Sequence, residues 1–309
     1  MRFFHLLMDF SGSWLKVEPE LVKSVHRAVL EKWGAKALQY TDPAGAPEPR
    51  RALEELVGGL GLTGFRAFFT NGLGDSLRIL AFAHLEKPCV RLEDPTSQEA
   101  LRAFEHCADS RLAYIQPIWR NPDGYTYSED EIKRVASEVP LVVYDLTYGL
   151  LSGRRVPIYG SAVAVASFHA LFPGLALGFI AAPEELYEVY LEYVQSAYLH
   201  PPTYLQYLFY TALKEGAVGE VFASLKRRAR AVEELLGVVA TPYFAWVEAR
   251  NPEIFLKHGA VPGGEFTRRR RLGKCLRLGL TSATEEEIAR FFSSLPPEEL
   301  QDVGHCREL

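Results

Sequence analysis

Asp145 closes the apolar run Leu141-Val142-Val143-Tyr144, where a carboxylate leaving the core is costly unless a cation or hydrogen-bond donors meet it. It can serve as one half of a structural pair or as the acid that holds a protonated ligand nitrogen. Asn71-Gly72-Leu73-Gly74 can offer bare amides and a helix N-terminus to an anion, although such a turn is as readily only a tight turn. Ser167 ends a second apolar run, and His169 follows two residues later. An imidazole can move protons near neutrality, or it can be a core or loop histidine with a satisfied ring. Arg277, between Leu276 and Leu278, can clamp a carboxylate through a bidentate fork that lysine cannot reproduce, or form a surface or interdomain salt bridge.

The surrounding pattern says what must position these residues. Apolar residues at near-helical spacing predict a helix over 17–33, ended by Gly34, and another over 50–60. From residue 66 short apolar runs alternate with helical ones. Strands are expected at 66–69, 88–92, 112–116, 141–144, 162–166 and 177–181, with helices at 75–85, 97–107 and 128–139. Ser128-Glu129-Asp130-Glu131 is a capping box in front of the last helix. Residues 183–215 read as helical with a break at Pro201-Pro202, and 219–236 as a further helix. Strands at 243–248 and 274–280 follow. The alternation predicts an α/β fold with a mostly parallel mixed sheet, plus a smaller α+β domain. The expected division is a large domain over 30–220 and a small one over 1–29 and 221–309. Asn71, Asp145 and Ser167 each follow a strand, and open α/β sheets hold ligands at the carboxyl ends of strands.

The chain has 309 residues, 48% hydrophobic and 24% charged, with a net charge of -5. This length can bury roughly three quarters of the unfolded surface, and the charge calls for neither nucleic acid nor an anionic membrane as partner. The run Arg268-Arg269-Arg270-Arg271 reads as a solvated loop or a local anion contact. Cys89, Cys107, Cys275 and Cys306 show no metal spacing, so no metal site is expected, and they read as reduced thiols of a cytoplasmic protein. The apolar run at the N-terminus is too short for a signal peptide, and no apolar stretch approaches the ~20 residues of a membrane span.

Further motifs give these residues an order. Met8-Asp9-Phe10-Ser11, Tyr40-Thr41-Asp42-Pro43 followed by Arg50 or Arg51, and the Asn71-Gly72 turn come first. Asn121-Pro122-Asp123-Gly124, Tyr144-Asp145-Leu146-Thr147-Tyr148, Ser167-Phe168-His169, Pro173-Gly174-Leu175-Ala176-Leu177-Gly178 and Leu276-Arg277-Leu278 follow. The set resembles the class I/II aminotransferases of the fold-type I pyridoxal-phosphate family, within them the histidinol-phosphate aminotransferase and threonine-phosphate decarboxylase branch. The resemblance implies a pyridoxal-phosphate-transferase-like large domain and a homodimer with the site at its interface. Asp145 would pair with the pyridine nitrogen, and Asn121 and Tyr148 would bond the ring hydroxyl. The Gly72 and Leu73 amides with Ser167 would hold the phosphate, and Tyr40 would reach the phosphate of the neighbouring subunit. Arg277 would hold a substrate carboxylate.

The same resemblance marks what is missing. The family's Schiff-base lysine falls at Ala170 when counted from Ser167, and at His169 when counted back from Pro173-Gly174; neither is lysine. The phosphate-contacting arginine is replaced by Ala176, and the ring-stacking aromatic by Ser97 in Glu93-Asp94-Pro95-Thr96-Ser97. A charge-assisted contact worth ~1.5–3 kcal/mol and stacking worth ~1 kcal/mol together amount to roughly two to three powers of ten in affinity. The expectation is therefore a protein degenerate for transamination that binds a small anionic metabolite, with pyridoxal phosphate non-covalent or absent. The alternative is an enzyme that holds pyridoxal or pyridoxamine phosphate non-covalently, uses His169 as acid/base, and acts on an amino acid or related carboxylate.

Overall fold

A computed structural model describes residues 8–84, 89–268 and 272–306. Arg269, Arg270, Arg271, the first residues of the chain and Pro88 lie outside the described residues. The chain opens with α1 (Pro19–Trp33), α2 (Pro47–Gly59), β1 (Arg66–Thr70) and α3 (Leu73–His84). Next come β2 (Cys89–Leu92), α4 (Gln98–Ala103), β3 (Glu105–His106), β4 (Leu112–Ile115), α5 (Glu129–Glu138) and β5 (Leu141–Asp145). Then follow β6 (Ser161–Ser167), β7 (Gly178–Ala182), α6 (Glu184–Tyr198), α7 (Thr203–Lys214) and α8 (Ala217–Leu236). The last stretch carries β8 (Phe244–Ala249), α9 (Glu253–Leu256), β9 (Val261–Pro262), β10 (Cys275–Gly279), α10 (Glu285–Ser294), α11 (Pro297–Gln301) and β11 (Val303–His305).

A seven-stranded sheet in the order β1-β7-β6-β5-β4-β2-β3 forms the larger body. Strands β2, β4, β5 and β6 pair in parallel, whereas β7 runs antiparallel to both β6 and β1. Its strands read as continuous apolar runs because helices cover both faces, and β5 and β7 are buried along their whole length. The mixed α/β expectation holds. Register then places the chemistry: Ile115 lies beside Tyr144, Asp145 beside Val165, and Ser167 beside Gly178. Thr70 also pairs with Gly178, so the Asn71-Gly72 turn leaves β1 beside Ser167. A Cβ on Gly178 would come within 2.4 Å of the Ala166 carbonyl and 2.9 Å of Gly72. Only glycine lets the turn sit this close.

The second sheet, β11-β8-β10-β9, is antiparallel. Its core joins Phe10, Val232, Val247, Leu278, Ile288 and Phe292. The N-terminal segment runs along it, with the Gly279 amide donating to the Phe10 carbonyl at 2.7 Å. Among the described residues no helix is long and apolar enough to cross a membrane.

Two expectations are corrected. The helix expected over 97–107 stops at Ala103, because Phe104 is extended and the chain enters β3 against β2. The thiols expected to be free are paired instead: Cys89 with Cys107 at a Cα–Cα distance of 5.5 Å, and Cys275 with Cys306 at 5.6 Å. Parallel pairing of β2 with β3 brings Cys107 back to Cys89, and Cys306, just past β11, returns to β8 and so to Cys275. Spacing in the chain carries no trace of either closure.

Candidate functional site

Asp145 is 1% exposed at the end of β5, and its carboxylate is ringed by donors. Oδ2 accepts from the Tyr114 hydroxyl at 2.5 Å and from the Gln116 amide at 3.1 Å. Oδ1 accepts from the Thr147 backbone N–H at 2.9 Å and from its hydroxyl at 2.5 Å. Burial raises the Asp145 pKa and these bonds oppose the rise. The Thr147 hydroxyl oxygen in turn accepts from the Ser167 N–H at 3.0 Å, which locks the ends of β5 and β6 together. Gln116 Oε1 accepts from the Asn121 N–H at 3.1 Å. The Asn121 side-chain Oδ1 accepts from Arg277 Nη1 at 3.1 Å, and Arg277 Nη2 donates to the Ser11 backbone carbonyl at 2.8 Å. The Arg277 guanidinium also lies 5.1 Å from the Phe266 ring centroid.

A cavity of about 130 Å³ opens in front of Asp145. Gly74, Ser97, Glu99, Tyr148, Ser167 and His169 are among its walls. Tyr148 stands edge-on to His169 with ring centroids 6.0 Å apart and packs on Tyr243 and Phe244, each at 5.1 Å. Burial raises the Tyr148 pKa, against the charge of Arg277. His169 Nδ1 lies 3.0 Å from Ser167 Oγ. The imidazole reaches solvent at the mouth, yet the walls desolvate its cationic form and lower its pKa, with Arg277 adding to that and Glu99 opposing it. Ala170 is buried at 2% in the apolar core.

Asp145, Tyr148, Ser167, His169 and Leu73 therefore share one cavity, and Asn121 with Arg277 reaches it through Gln116. Gly72 lies at its edge, in the turn against β7. Tyr40 is elsewhere, 86% exposed and edge-on to His200 at 5.6 Å. Sequence reasoning missed Tyr114, Gln116, Thr147 and Glu99. Thr147 was findable, since a Thr two residues after a strand-end Asp forms a local side-chain turn; Tyr114 and Gln116 depend on β4 lying against β5.

Glu93, behind this centre, accepts from the Gln116 N–H at 3.1 Å and from the Tyr127 hydroxyl at 2.8 Å. Burial pushes its pKa up to about 8, although Arg120 and these donors pull the other way.

Pyridoxal phosphate, the group the resemblance implies, can be tested against this geometry. Each Asp145 oxygen already accepts two hydrogen bonds from protein, so a pyridinium N–H would have to displace one. Ser97 Oγ caps α4 through the Ala100 N–H and lies 3.1 Å from the Tyr114 hydroxyl, offering no stacking face. Among the described residues no lysine or arginine lines the cavity, and Glu99 and Asp145 make its walls acidic. Its volume of about 130 Å³ is also below the ~300–1,000 Å³ of pockets that enclose drug-sized ligands, which leaves room only for a molecule smaller than the phosphorylated cofactor. The residues present do not fit the phosphorylated cofactor.

No family model matches the chain. It is 26% identical to an uncharacterized aminotransferase of Saccharolobus solfataricus, covering 73% of this chain and 68% of the relative. It is 25% identical to aromatic-amino-acid aminotransferase 1 of Thermococcus litoralis, covering 87% of this chain and 81% of that one. Among solved structures, the α-aminoadipate aminotransferase of Thermus thermophilus, complexed with N-(5'-phosphopyridoxyl)-L-leucine, superposes with a TM-score of 0.74 at 23% identity. That match covers 93% of this chain and 90% of the other. The fold is that of the pyridoxal-phosphate-dependent aminotransferases.

Proposed function

We propose that this chain has kept the aminotransferase fold, lost transamination, and binds a small carboxylate-bearing metabolite without a covalent cofactor. The observation that carries the reading is the lining of the cavity. Among the described residues no lysine lines it, and of the two positions the resemblance allows for the Schiff-base lysine, Ala170 is packed into the core and the other is His169. Arg277, joined to this centre through Asn121 and Gln116 and held by the Ser11 carbonyl, is the residue the resemblance gives for a substrate carboxylate. Incubation with pyridoxal phosphate followed by borohydride reduction should leave the intact mass unchanged. A stoichiometric pyridoxyl adduct on any lysine would overturn the reading.

One observation favours a second reading, in which His169 serves a non-covalent cofactor as acid/base. Ser167 Oγ holds its Nδ1, and the lowered pKa keeps the ring neutral at pH 7, able to accept a proton. Saturable binding of pyridoxamine phosphate, together with an activity lost in His169→Ala, would support it; absence of binding would remove it. In either reading the chain is a homodimer. Tyr40 and Leu38, 86% and 66% exposed, form part of an apolar surface for a second copy, from which Tyr40 would reach the partner's site. Light scattering of the wild type and of Tyr40→Asp tests this, with a monomeric wild type as the adverse result.

A further inference from the structure

We propose that the seam between the 119–126 loop and the second sheet is a separate small-molecule site, one that takes a flat aromatic ring carrying an acidic group. It does not depend on the reading of the Asp145 cavity. The seam encloses about 460 Å³, within the ~300–1,000 Å³ of small-molecule pockets. Among its lining residues Trp119 and Tyr125 keep part of their surface exposed, whereas Phe244 and Trp246 are buried at 2%. The two accessible rings are fixed before any ligand arrives: Trp119 packs on Tyr243 at 6.1 Å and Phe222 at 6.4 Å, and Tyr125 stands edge-on to Tyr127 at 5.2 Å with its hydroxyl donating to Glu131 at 2.6 Å. Aromatic surfaces held in place lose little entropy when a ring packs on them.

The loop that carries Trp119 is itself held in an unusual shape. Trp119 has φ 54°, a left-handed conformation that a bulky residue rarely adopts. It is maintained by the Arg120 N–H donating to the Tyr125 carbonyl at 2.8 Å and by the Trp119 N–H donating to Thr126 Oγ1 at 3.3 Å. Gly124 then seats the loop on the turn before β8, where a Cβ would come within 2.9 Å of Thr241 Cγ2. Strain of this kind persists only where the surroundings over-determine it, and it clusters at ligand sites.

Charge selects the ligand's polar end. Asp123, on the wall, is already neutralised by the buried guanidinium of Arg120, whose Nε donates to it at 2.9 Å. Arg154 and His305 are exposed and line the same seam, and among the described residues no hydrogen bond or ion pair engages either side chain. The seam thus offers the exposed donors of Arg154 and His305 beside the partly exposed rings of Trp119 and Tyr125, the complement of an aromatic acid.

Calorimetric titration with indole-3-acetate, with indole-3-ethanol as the uncharged control, tests the assignment. Expected are one saturable site per chain, binding at least tenfold weaker in Arg154→Glu, weaker binding of the alcohol, and no change in His169→Ala. Arg154 is on the surface, so its replacement leaves the fold intact, and the melting temperature verifies this. Equal affinity in Arg154→Glu, or no saturation in the millimolar range, would overturn the proposal. Loss of binding in His169→Ala would also overturn it, by moving the ligand to the Asp145 cavity. Failure here leaves the borohydride result, and the reading it tests, untouched.

Discussion

The two sides of the cavity at Asp145 are built differently. On one side Asp145, Asn121 and Arg277 are joined through Gln116 into a chain of hydrogen bonds reaching Ser11. On the other, Ser97, Ser167, His169 and Ala170 bring no cation to the wall and no stacking face. Asp145, Asn121 and Arg277 are thus satisfied by protein groups. Removing one of them would strand the groups around it, at ~1–3 kcal/mol for each buried orphan.

The sharpest way to break this comparison is Asp145→Ala. It leaves the Tyr114 hydroxyl, the Gln116 amide and the Thr147 donors facing a void. The expected loss is about 3–5 kcal/mol in chemical denaturation, whether or not any ligand is present. A loss below about 1 kcal/mol would mean the network is not structural.

Next in size is the pair Ala170→Lys and His169→Lys. Ala170 is 2% exposed among apolar neighbours, so a lysine there buries an ammonium and should lower stability by about 2–3 kcal/mol. His169 is open at the mouth, so a lysine there should cost less than about 1 kcal/mol. Whichever variant yields a borohydride-reducible pyridoxal-phosphate adduct identifies the position the lysine would have held. Equal costs for the two would contradict the described difference in burial.

Arg277→Met comes third, at about 2 kcal/mol, the worth of hydrogen bonds made by a charged donor. It frees the Asn121 side-chain Oδ1 and unties the Ser11 backbone from β10. If unfolding is unaffected while binding of a carboxylate ligand disappears, Arg277 belongs to recognition alone.

How much of this was legible beforehand depended on the range of the interaction that decides it. β5 and β6 could be read because their apolar runs end in Asp145 and Ser167, and the helix after Ser128 because its capping box is local; that box is present in the fold. The end of α4 could not be read, since the backbone becomes extended at the buried Phe104 where β3 meets β2. The cysteine pairs were invisible for the same reason. Within the site, residue types pointed to Asp145, but its satisfaction by Tyr114 and Gln116 arises from strand adjacency. The sequence therefore shows a costly carboxylate and not how the cost is met.

The smallest expected effect probes the interlocked half from behind. Glu93 receives the Gln116 N–H, and Gln116 spans Asp145 and Asn121. Its carboxyl is raised from 4.5 to about 8 by burial, so the folded protein binds a proton that the unfolded chain releases. Stability from this group is complete below pH 4.5, falls as pH rises, and levels off above pH 8. His169, whose pKa is lowered, works in the opposite direction, its contribution being lost as pH falls below the ordinary histidine range. Glu93→Gln removes the first dependence and leaves the second. The melting temperature of the wild type minus that of Glu93→Gln should therefore decline between pH 5 and 8 and then flatten. A difference independent of pH would show that the Tyr127 and Gln116 donors keep Glu93 ionised throughout, and that the network behind Asp145 carries a full negative charge at neutral pH.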